Sequence, residues 1–428
     1  MRYCTCPLSA CLALCVSLML TACGGGAGGS SSNPVAVSLP PSAASIYDSN
    51  VTTIDVKSGP SGNVNIPYVT INVCTSGGIV GSSNCKPIDN VLLDTGSTGL
   101  RLFATQLSAA PALALPPQTV NGSSPLSECA NFLNNNAWGS VKLADVVIAK
   151  ERALSVPIQL MDANDVGAGN CWDPSQGPPL FITASDQTKA NTQILGANGI
   201  LGLGLFVNDG QSYFDCTQSA SPCQTINLAS VKQVQNPVSF FAVNNNGVVL
   251  QLPSLAPSGA ASSAQGYLTF GVGTQPNNRL GSANVLRVNQ FGQFNTVYGG
   301  NSLPGSILDS GSNGLYFDDA ALSAYRCSAS ATGFYCPPTT RNLSATIQLG
   351  GTGGNVNVGF SIANTDQLFA PNGVRSGNYA FNSLGGSFGG SGFDWGLPFF
   401  FGRSVYTVIE NASVSGVAFR GPWNAFTN

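Results

Sequence analysis

The chain of 428 residues contains no histidine. Histidine is the base in Ser-His-Asp and Cys-His catalysis and a frequent metal ligand. Its absence therefore excludes those catalytic groups and every metal site that needs imidazole. Hydrolytic chemistry in this chain must depend on carboxylates, hydroxyls, lysines or thiolates. We expect neither a cofactor nor a bound metal.

Charged side chains are also scarce. They make up 8% of the residues, against about 25% in an average soluble domain. The formal net charge is −3, and no basic stripe is present that would neutralise phosphates, so we expect no nucleic-acid partner. Few residues are Glu or Lys and 51 are glycine, a composition that favours strands and turns over helices.

The first 22 residues have the pattern of an export signal. Arg2 and the amino terminus supply positive charge, and an apolar stretch from Leu8 to Leu20 follows. The segment Leu20-Thr21-Ala22-Cys23 resembles the lipobox of bacterial lipoproteins. This resemblance implies that residues 1–22 are a signal peptide and that Cys23 receives a lipid. A plain signal peptide or a membrane span is the alternative, but the apolar stretch is short for a span.

Residues 23–45 are rich in glycine, serine and proline, and the stretch GGGAGGSSSN within them predicts a flexible tether. A lipid on Cys23 would hold the folded part at a membrane through this tether. We therefore expect a lipid-anchored protein of the bacterial cell envelope, facing the periplasm or the cell surface. We also expect a monomer.

Eight cysteines lie beyond Cys23, and an even number in an exported chain indicates disulfides. They are Cys74, Cys85, Cys129, Cys171, Cys216, Cys223, Cys327 and Cys336. Sequence alone leaves many connectivities open. Nearest-neighbour pairs close the shortest loops, so we predict the bonds 74–85, 129–171, 216–223 and 327–336. Zinc binding is the competing interpretation, but no Cys-x-x-Cys pair supports it.

One short stretch occurs twice. Residues 90–103 read NVLLDTGSTGLRLF, and residues 306–317 read SILDSGSNGLYF. Six of the eight positions that begin at Leu93 recur in the eight that begin at Leu308. The aspartates of the two copies, Asp94 and Asp309, are 215 residues apart (309 − 94). The repetition predicts a duplicated half with a two-fold arrangement.

Two aspartates that meet across a two-fold axis cannot both ionise easily, because like charges a few ångströms apart force them to share one proton. The ionised carboxylate can then take a proton from water while the protonated one polarises a carbonyl. Together they cleave an amide without histidine. We therefore predict that Asp94 and Asp309 form the catalytic pair.

The residues after each aspartate are predicted to form supporting loops. These residues are Thr95, Gly96, Ser97, Ser310, Gly311 and Ser312. The glycines let the backbone bend so that N–H groups approach the carboxylate. The hydroxyls of Ser97 and Ser312 are placed to bond the carboxylates from outside. Thr95 and Ser310 are placed to bond the backbone of the opposite lobe.

These loops resemble the two catalytic loops of the bilobal, pepsin-like aspartic peptidases. Residues 199–203 (GILGL) look like the apolar strand behind the first loop in that family, and Trp395-Gly396 lies where its counterpart in the second lobe would fall. The resemblance covers most of residues 60–420. It implies a mainly β, two-lobed acid-protease fold with pseudo-two-fold symmetry and few short helices. More narrowly, the stretch WGLPFFFGR resembles a family of uncharacterised bacterial lipoproteins with this fold.

The resemblance implies an N-terminal β lobe at residues 46–235 and a C-terminal β lobe at residues 236–428. It leaves open whether the strands around this boundary belong to a shared sheet. The chain departs from the family at the flap, since no tyrosine lies between Asp94 and Asp145. The flap candidates are Trp138, Gly139 and Ser140, and Trp138 is either a substrate lid or a core side chain.

Local patterns predict further elements. Alternating and β-branched residues predict strands at residues 64–73, 238–243, 248–252, 266–271 and 404–410. Asp318 is predicted to cap a short helix that ends at Tyr325.

The resemblance implies an aspartic-type endopeptidase that hydrolyses a peptide or protein substrate. No basic pro-segment follows the signal, whereas many members of the family carry one. The alternative is a catalytically silent module of the cell envelope that keeps the pepsin fold and binds without cleaving.

Overall fold

The computed structural model describes residues 49–428, apart from 109, 111–112, 133–135, 163–164, 166, 168–170, 172–194, 217–222, 257–258, 328–330, 352 and 371–376. The predicted signal peptide, the predicted lipid site Cys23 and the tether lie outside these residues.

The described residues form a mainly β structure, as predicted. The first half of the chain, up to residue 235, contains β1 (Val51–Val56), β2 (Pro67–Cys74), β3 (Cys85–Asp94), β4 (Thr98–Phe103), β5 (Leu126–Asn131), β6 (Asn136–Ile148), β7 (Glu151–Met161), β8 (Gly199–Leu203), β9 (Ser212–Asp215) and β10 (Gln224–Ile226). The second half contains β11 (Gly247–Gln251), β12 (Ala260–Ala261), β13 (Ala264–Phe270), β14 (Asn284–Arg287), β15 (Phe294–Tyr298), β16 (Asn301–Leu308), β17 (Leu315–Tyr316), β18 (Arg341–Gln348), β19 (Asn355–Ile362), β20 (Ala380–Phe381), β21 (Gly385–Gly386), β22 (Asp394–Trp395), β23 (Ser404–Val408) and β24 (Trp423–Phe426).

The helices are short. The α-helices are α1 (Thr105–Ser108), α2 (Ala320–Ser323), α3 (Thr365–Phe369) and α4 (Leu397–Phe400), and 3₁₀ turns lie at Ser230–Lys232, Pro237–Phe240 and Pro276–Asn278. In the part of the chain that the structure describes, no helix has both the length and the apolarity needed to cross a bilayer.

The largest sheet has fifteen strands and is continuous across the predicted lobe boundary. Its order is β10-β9-β5-β6-β7-β4-β8-β3-β2-β1-β13-β11-β23-β24-β14. The junction is the antiparallel ladder between β1 and β13, in which Val51 lies opposite Thr269 and Val56 opposite Ala264. The strands around the boundary therefore form a shared sheet, which is the point that the sequence left open.

A second sheet of seven strands lies entirely in the second half, in the order β19-β18-β15-β16-β22-β17-β21. Large aromatic side chains pack around its central strands. Phe393 stacks on Phe317 with ring centroids 4.6 Å apart and on Trp395 with centroids 4.0 Å apart. Phe360 meets Phe317, Phe393 and Trp395 edge-on. This packing fixes β22 against the end of β16, where Asp309 follows.

One hydrophobic core spans both halves and flanks both aspartates. Leu93 and Leu100 on either side of the first aspartate are fully buried, and Leu308 and Leu315 around the second are almost so. Burying one leucine side chain contributes about 1.5–3 kcal/mol. Both aspartates are therefore attached to well-packed strand ends.

Most of the predicted strands are confirmed, by β2, β8, β11, β13 and β23. The strand predicted at residues 238–243 is wrong. Asn236 caps a 3₁₀ turn there, and its side chain accepts a hydrogen bond from the backbone N–H of Val238. The predicted helix cap is off by one residue, because Asp319 rather than Asp318 accepts from the N–H of Leu322 at 2.8 Å.

The four predicted disulfides are confirmed: Cys74–Cys85, Cys129–Cys171, Cys216–Cys223 and Cys327–Cys336. All eight sulfurs beyond Cys23 are consumed in these bonds. The competing zinc interpretation therefore loses its thiolate ligands.

Candidate active site

Asp94 is held at the end of β3 by two neighbouring strands. β8 runs parallel to β3 and places Gly202 beside Asp94, while β4 returns antiparallel to β8. A Cβ atom on Gly202 would lie 2.6 Å from the backbone nitrogen of Thr98. Glycine is therefore required for β8 to pass this closely behind the first loop, residues 94–97.

Asp309 is held by the same arrangement in the second half. β22 runs parallel to β16, β17 is antiparallel to β22, and the N–H of Asp309 donates to the carbonyl of Trp395 at 3.2 Å. A Cβ on Gly396 would lie 2.1 Å from the carbonyl oxygen of Gly314. The second loop, residues 309–312, thus has the strand surroundings of the first.

The two loops bind each other through reciprocal hydrogen bonds. The backbone N–H of Ser310 donates to Thr95 Oγ1 at 3.0 Å, and that of Thr95 donates to Ser310 Oγ at 3.1 Å. The same hydroxyls donate to the carbonyls before the opposite aspartates, Ser310 Oγ to Leu93 at 2.7 Å and Thr95 Oγ1 to Leu308 at 3.4 Å. All four bonds are buried, which makes them costly to break. This is the cross-lobe bonding that the sequence predicts for Thr95 and Ser310.

Each carboxylate receives one backbone and one hydroxyl donor from its own loop. In the first loop, Gly96 N–H donates to Asp94 Oδ1 at 2.7 Å and Ser97 Oγ to Oδ2 at 2.5 Å. In the second, Gly311 N–H donates to Asp309 Oδ1 at 2.8 Å and Ser312 Oγ to Oδ2 at 2.7 Å. The outer oxygen of each carboxyl is thereby oriented, as predicted from Ser97 and Ser312.

The two carboxyl groups lie within hydrogen-bond distance of each other. A Cβ built on Gly96 would be 2.6 Å from Asp309 Oδ1, and one on Gly311 would be 2.6 Å from Asp94 Oδ1. The glycine of each loop therefore leaves room for the aspartate of the other. Asp94 is buried and Asp309 is partly exposed.

The electrostatics favour one shared proton. Burial raises the pKa of the Asp94 carboxyl well above its usual range, and the charge of Asp309 raises it further, while the bonds from Ser97 and Gly96 lower it. The ion pairs among the described residues involve other acids. With no cation paired to either carboxyl, a proton between them is the available way to relieve the repulsion.

A third carboxyl lies behind this pair and was not predicted as a site residue. Asp394 in β22 is 3% exposed. Burial raises the pKa of Asp394 well above its usual range, the charges of Asp309 and Asp94 add to this, and a hydrogen bond with Ser312 opposes it. The available signal was an aspartate within the otherwise apolar run Phe393–Phe401.

A buried ionic cluster behind the first loop was also missed. Arg101, 1% exposed, lies 2.6 Å from both Glu128 Oε1 and Asp209 Oδ2. Its Nη1 donates to the carbonyl of Thr98 at 2.6 Å, and Tyr213 donates its hydroxyl hydrogen to Asp209. The cluster joins β4, which continues from the first loop, to β5 and to residue 209.

The predicted flap position is wrong. Trp138, Gly139 and Ser140 lie inside β6, which begins at Asn136 and pairs with β5, and residues 133–135 between the two strands are outside the described residues. Trp138 is 2% exposed and packs edge-on against Phe214 at 5.0 Å, beside the cysteines of two disulfides. Its large apolar ring is a core side chain, which was the other interpretation.

Comparison with curated proteins finds no match. Residues 47–426 match a protein family described as "protein of unknown function (DUF3443)". That match includes both aspartate loops, both of the sheets described above and all four disulfides, and it spans nearly the whole chain, so the protein belongs to the DUF3443 family.

Proposed function

We propose that this protein is an aspartic-type endopeptidase with a pepsin-like, two-lobed fold, in which Asp94 and Asp309 activate water. The single observation that carries the proposal is the pair of hydrogen-bonded carboxyls held by two loops with matching bonds. The fold assignment is supported by the strand unit that occurs twice: a strand ending at the aspartate, a parallel strand with glycine beside it, and an antiparallel return strand.

The proposed mechanism needs one proton on the pair. A water bound between the carboxyls gives a proton to the ionised one as its oxygen attacks the peptide carbonyl. The protonated carboxyl hydrogen-bonds the carbonyl oxygen as negative charge develops there. The resulting tetrahedral intermediate collapses when a proton passes to the amide nitrogen, and the amine leaves. Gly96 and Gly311 N–H donors hold the inner oxygens during these transfers.

The test is cleavage of unfolded casein by the wild type, Asp94→Asn and Asp309→Asn at pH values between about 3 and 7. Each substitution keeps the shape but prevents proton exchange, so each should lower kcat by on the order of 10³-fold or more. Asp89→Asn is the matched control, because this exposed aspartate lies on β3 only five positions before Asp94.

Asp94→Asn and Asp309→Asn should lose cleavage activity to the same extent. Circular dichroism and a thermal melt establish that each variant is folded before its activity is compared. Residual cleavage in both Asn variants would contradict the proposal. A well-folded wild type that binds peptides without cleaving them would support the alternative, a silent binding module.

We also propose that the protein is a lipoprotein anchored through Cys23. The lipobox-like segment and the tether support this, together with four disulfides, which are typical of an oxidising compartment. Cys23→Ser should abolish incorporation of labelled palmitate and release the folded protein from membranes. Continued labelling of that variant would refute the anchor.

A further inference from the structure

A cavity of about 390 Å³ lies in the second half, against two of the strands that surround Asp309. Leu315 of β17, Trp395 of β22 and Phe399 of α4 contribute buried apolar side chains to its lining. Asn342 of β18 and Ser361 of β19 also line it, and both are at least partly exposed. Sites for small molecules typically have volumes of about 300–1,000 Å³. The lining therefore fits a small ligand with an apolar body and a polar end.

Arg403 is the only charged side chain that lines this cavity in the described part of the chain. Its guanidinium lies over the ring of Phe399, with Cζ 4.6 Å from the ring centroid. Its Nη1 donates to the carbonyl oxygen of Phe399 at 2.7 Å. These two contacts hold the guanidinium against the aromatic ring and use one of its donor groups.

The other edge of the guanidinium, formed by Nε and Nη2, has no partner among the described residues. Nε is buried without a hydrogen bond, and the one side-chain hydrogen bond of Arg403 there uses Nη1. Arg403 takes part in none of the ion pairs of those residues, whereas the buried Arg101 pairs with two acids. Burial lowers the pKa of Arg403, as expected for a cation without a counter-charge. An unpaired buried donor on a desolvated charge is costly, and a bound anion would remove that cost.

The lining also offers a neutral hydrogen-bond donor. Ser361 Oγ donates to Asn342 Oδ1 at 2.8 Å, which is the one side-chain hydrogen bond of Asn342 within the described chain. The amide nitrogen of Asn342 therefore keeps both of its hydrogens for a ligand. A peptide carbonyl would accept such a hydrogen, whereas a hydrocarbon chain would not.

We propose that this cavity binds a carboxylate with an apolar body, whose two oxygens accept from Nε and Nη2 of Arg403. Arginine presents these donors in a planar fork that matches a carboxylate, and the apolar lining receives the body of the ligand. Two sources have this chemistry: the free carboxyl end of a peptide with an apolar last residue, and a simple aryl or alkyl acid. The lining includes neither Asp94 nor Asp309, so the site does not depend on the proposed peptidase activity.

Isothermal titration calorimetry of the full chain tests the site with three probes. N-acetylphenylalanine has the carboxylate, the ring and a peptide-like amide. Its carboxamide replaces only the carboxylate, and 3-phenylpropanoate lacks only the acetamido group. We expect N-acetylphenylalanine to bind at least about tenfold more tightly than its carboxamide, because the hydrogen bonds between two charged groups are lost. Tighter binding of N-acetylphenylalanine than of 3-phenylpropanoate identifies the peptide end as the source, and the reverse order identifies a simple acid.

Two substitutions of Arg403 locate the binding. Arg403→Met removes the cation and should abolish the preference for the acid over the carboxamide. Arg403→Lys keeps the charge without the planar fork and should leave a smaller preference. Arg152→Met is the matched control, because it also removes one positive charge, from an arginine that is about one-third exposed and paired with Asp145. It should leave the affinities for all three probes unchanged.

Equal binding of the acid and the carboxamide to the wild type would overturn the proposal, as would failure of the wild type to bind either carboxylate. An acid preference that is undiminished in the Arg403 variants would place the binding elsewhere and overturn it too. If Arg403→Met does not fold, the wild type and Arg403→Lys still decide the outcome. Absence of casein cleavage would contradict the peptidase proposal and leave these binding results intact.

Discussion

The two aspartate loops make the same hydrogen bonds, but the structure behind each loop is different. Behind the first loop, β4 and β8 pair over five residues, and a buried arginine with two acids joins them to neighbouring segments. Behind the second, β17 and β22 pair over only two residues and are held by stacked aromatic rings and a buried acid. Matching geometry at the carboxyls is therefore produced by two different kinds of packing.

The difference teaches that the shape of the site and its charge balance are set separately. The shape comes from glycines, hydroxyls and strand ends that the two loops share. The buried charged groups near the loops are not shared: Arg101 pairs with Glu128 and Asp209 in the first half, and Asp394 lies near the two aspartates in the second. Substitutions behind the loops should thus change stability and titration in one half without an equivalent effect in the other.

The largest stability effect is expected from Arg101→Met. Removing the guanidinium leaves Glu128 and Asp209 buried without their cation, which should lower the free energy of unfolding by about 3–5 kcal/mol. Tyr316 occupies in the second half the strand position that Arg101 occupies in the first. Tyr316→Phe should lower the free energy of unfolding by only about 1 kcal/mol, since one hydrogen bond to Asn313 is lost. Urea denaturation measures both values.

Arg152→Met is the control for this comparison, because Arg152 also pairs with an acid, Asp145, but is about one-third exposed. Its loss should cost less than Arg101→Met. Equal costs for the two arginines would show that burial of the cluster is not what stabilises the first half.

The disulfides give a second, smaller contrast. Cys129–Cys171 closes a loop of 42 residues in the first half, and Cys327–Cys336 closes one of 9 in the second. Chain entropy predicts losses of about 4 and about 2.6 kcal/mol when each pair is replaced by serine. Thermal unfolding of the two double variants tests the order, and a larger loss for the short loop would contradict the entropic account.

The pH dependence of the free energy of unfolding should reflect the buried acids Asp94 and Asp394. Asp94 and Asp394 both have pKa values raised above the unfolded value of about 3.9. Their contribution to the free energy of unfolding is therefore complete below about pH 4. It is lost as the pH rises through each folded-state pKa, by about 1.4 kcal/mol per pH unit for each group. Denaturant midpoints should fall from acid toward neutral pH in the wild type and fall less steeply in Asp94→Asn. A denaturant midpoint that rises from acid to neutral pH would contradict this prediction.

Much of this architecture could be predicted because its signals are local. The loop repeat predicts the two aspartates and their hydroxyl partners, and short separations favour the disulfides that the structure contains. The Arg101 cluster could not be predicted, since its acids lie 27 and 108 residues away in no recurring pattern. Asp394 stands alone in an apolar run, and only the folded structure brings it to Ser312. Residues 238–243 have strand-like side chains, but the Asn236 cap bends the backbone into a turn.

The ladder between β1 and β13 has a consequence for the order in which the molecule forms. Asn50 bonds to Phe270, 220 residues further along, and Thr95 bonds to Ser310 across 215 residues. β16, which ends one residue before Asp309, is bonded by Phe393, whose N–H donates to Ser306 Oγ, 87 residues earlier in the chain. A chain that emerges amino terminus first therefore exposes Asp94 long before its partner exists. The paired carboxyls are assembled only when nearly the whole chain is available, so no amino-terminal fragment that ends before Asp309 can form the pair.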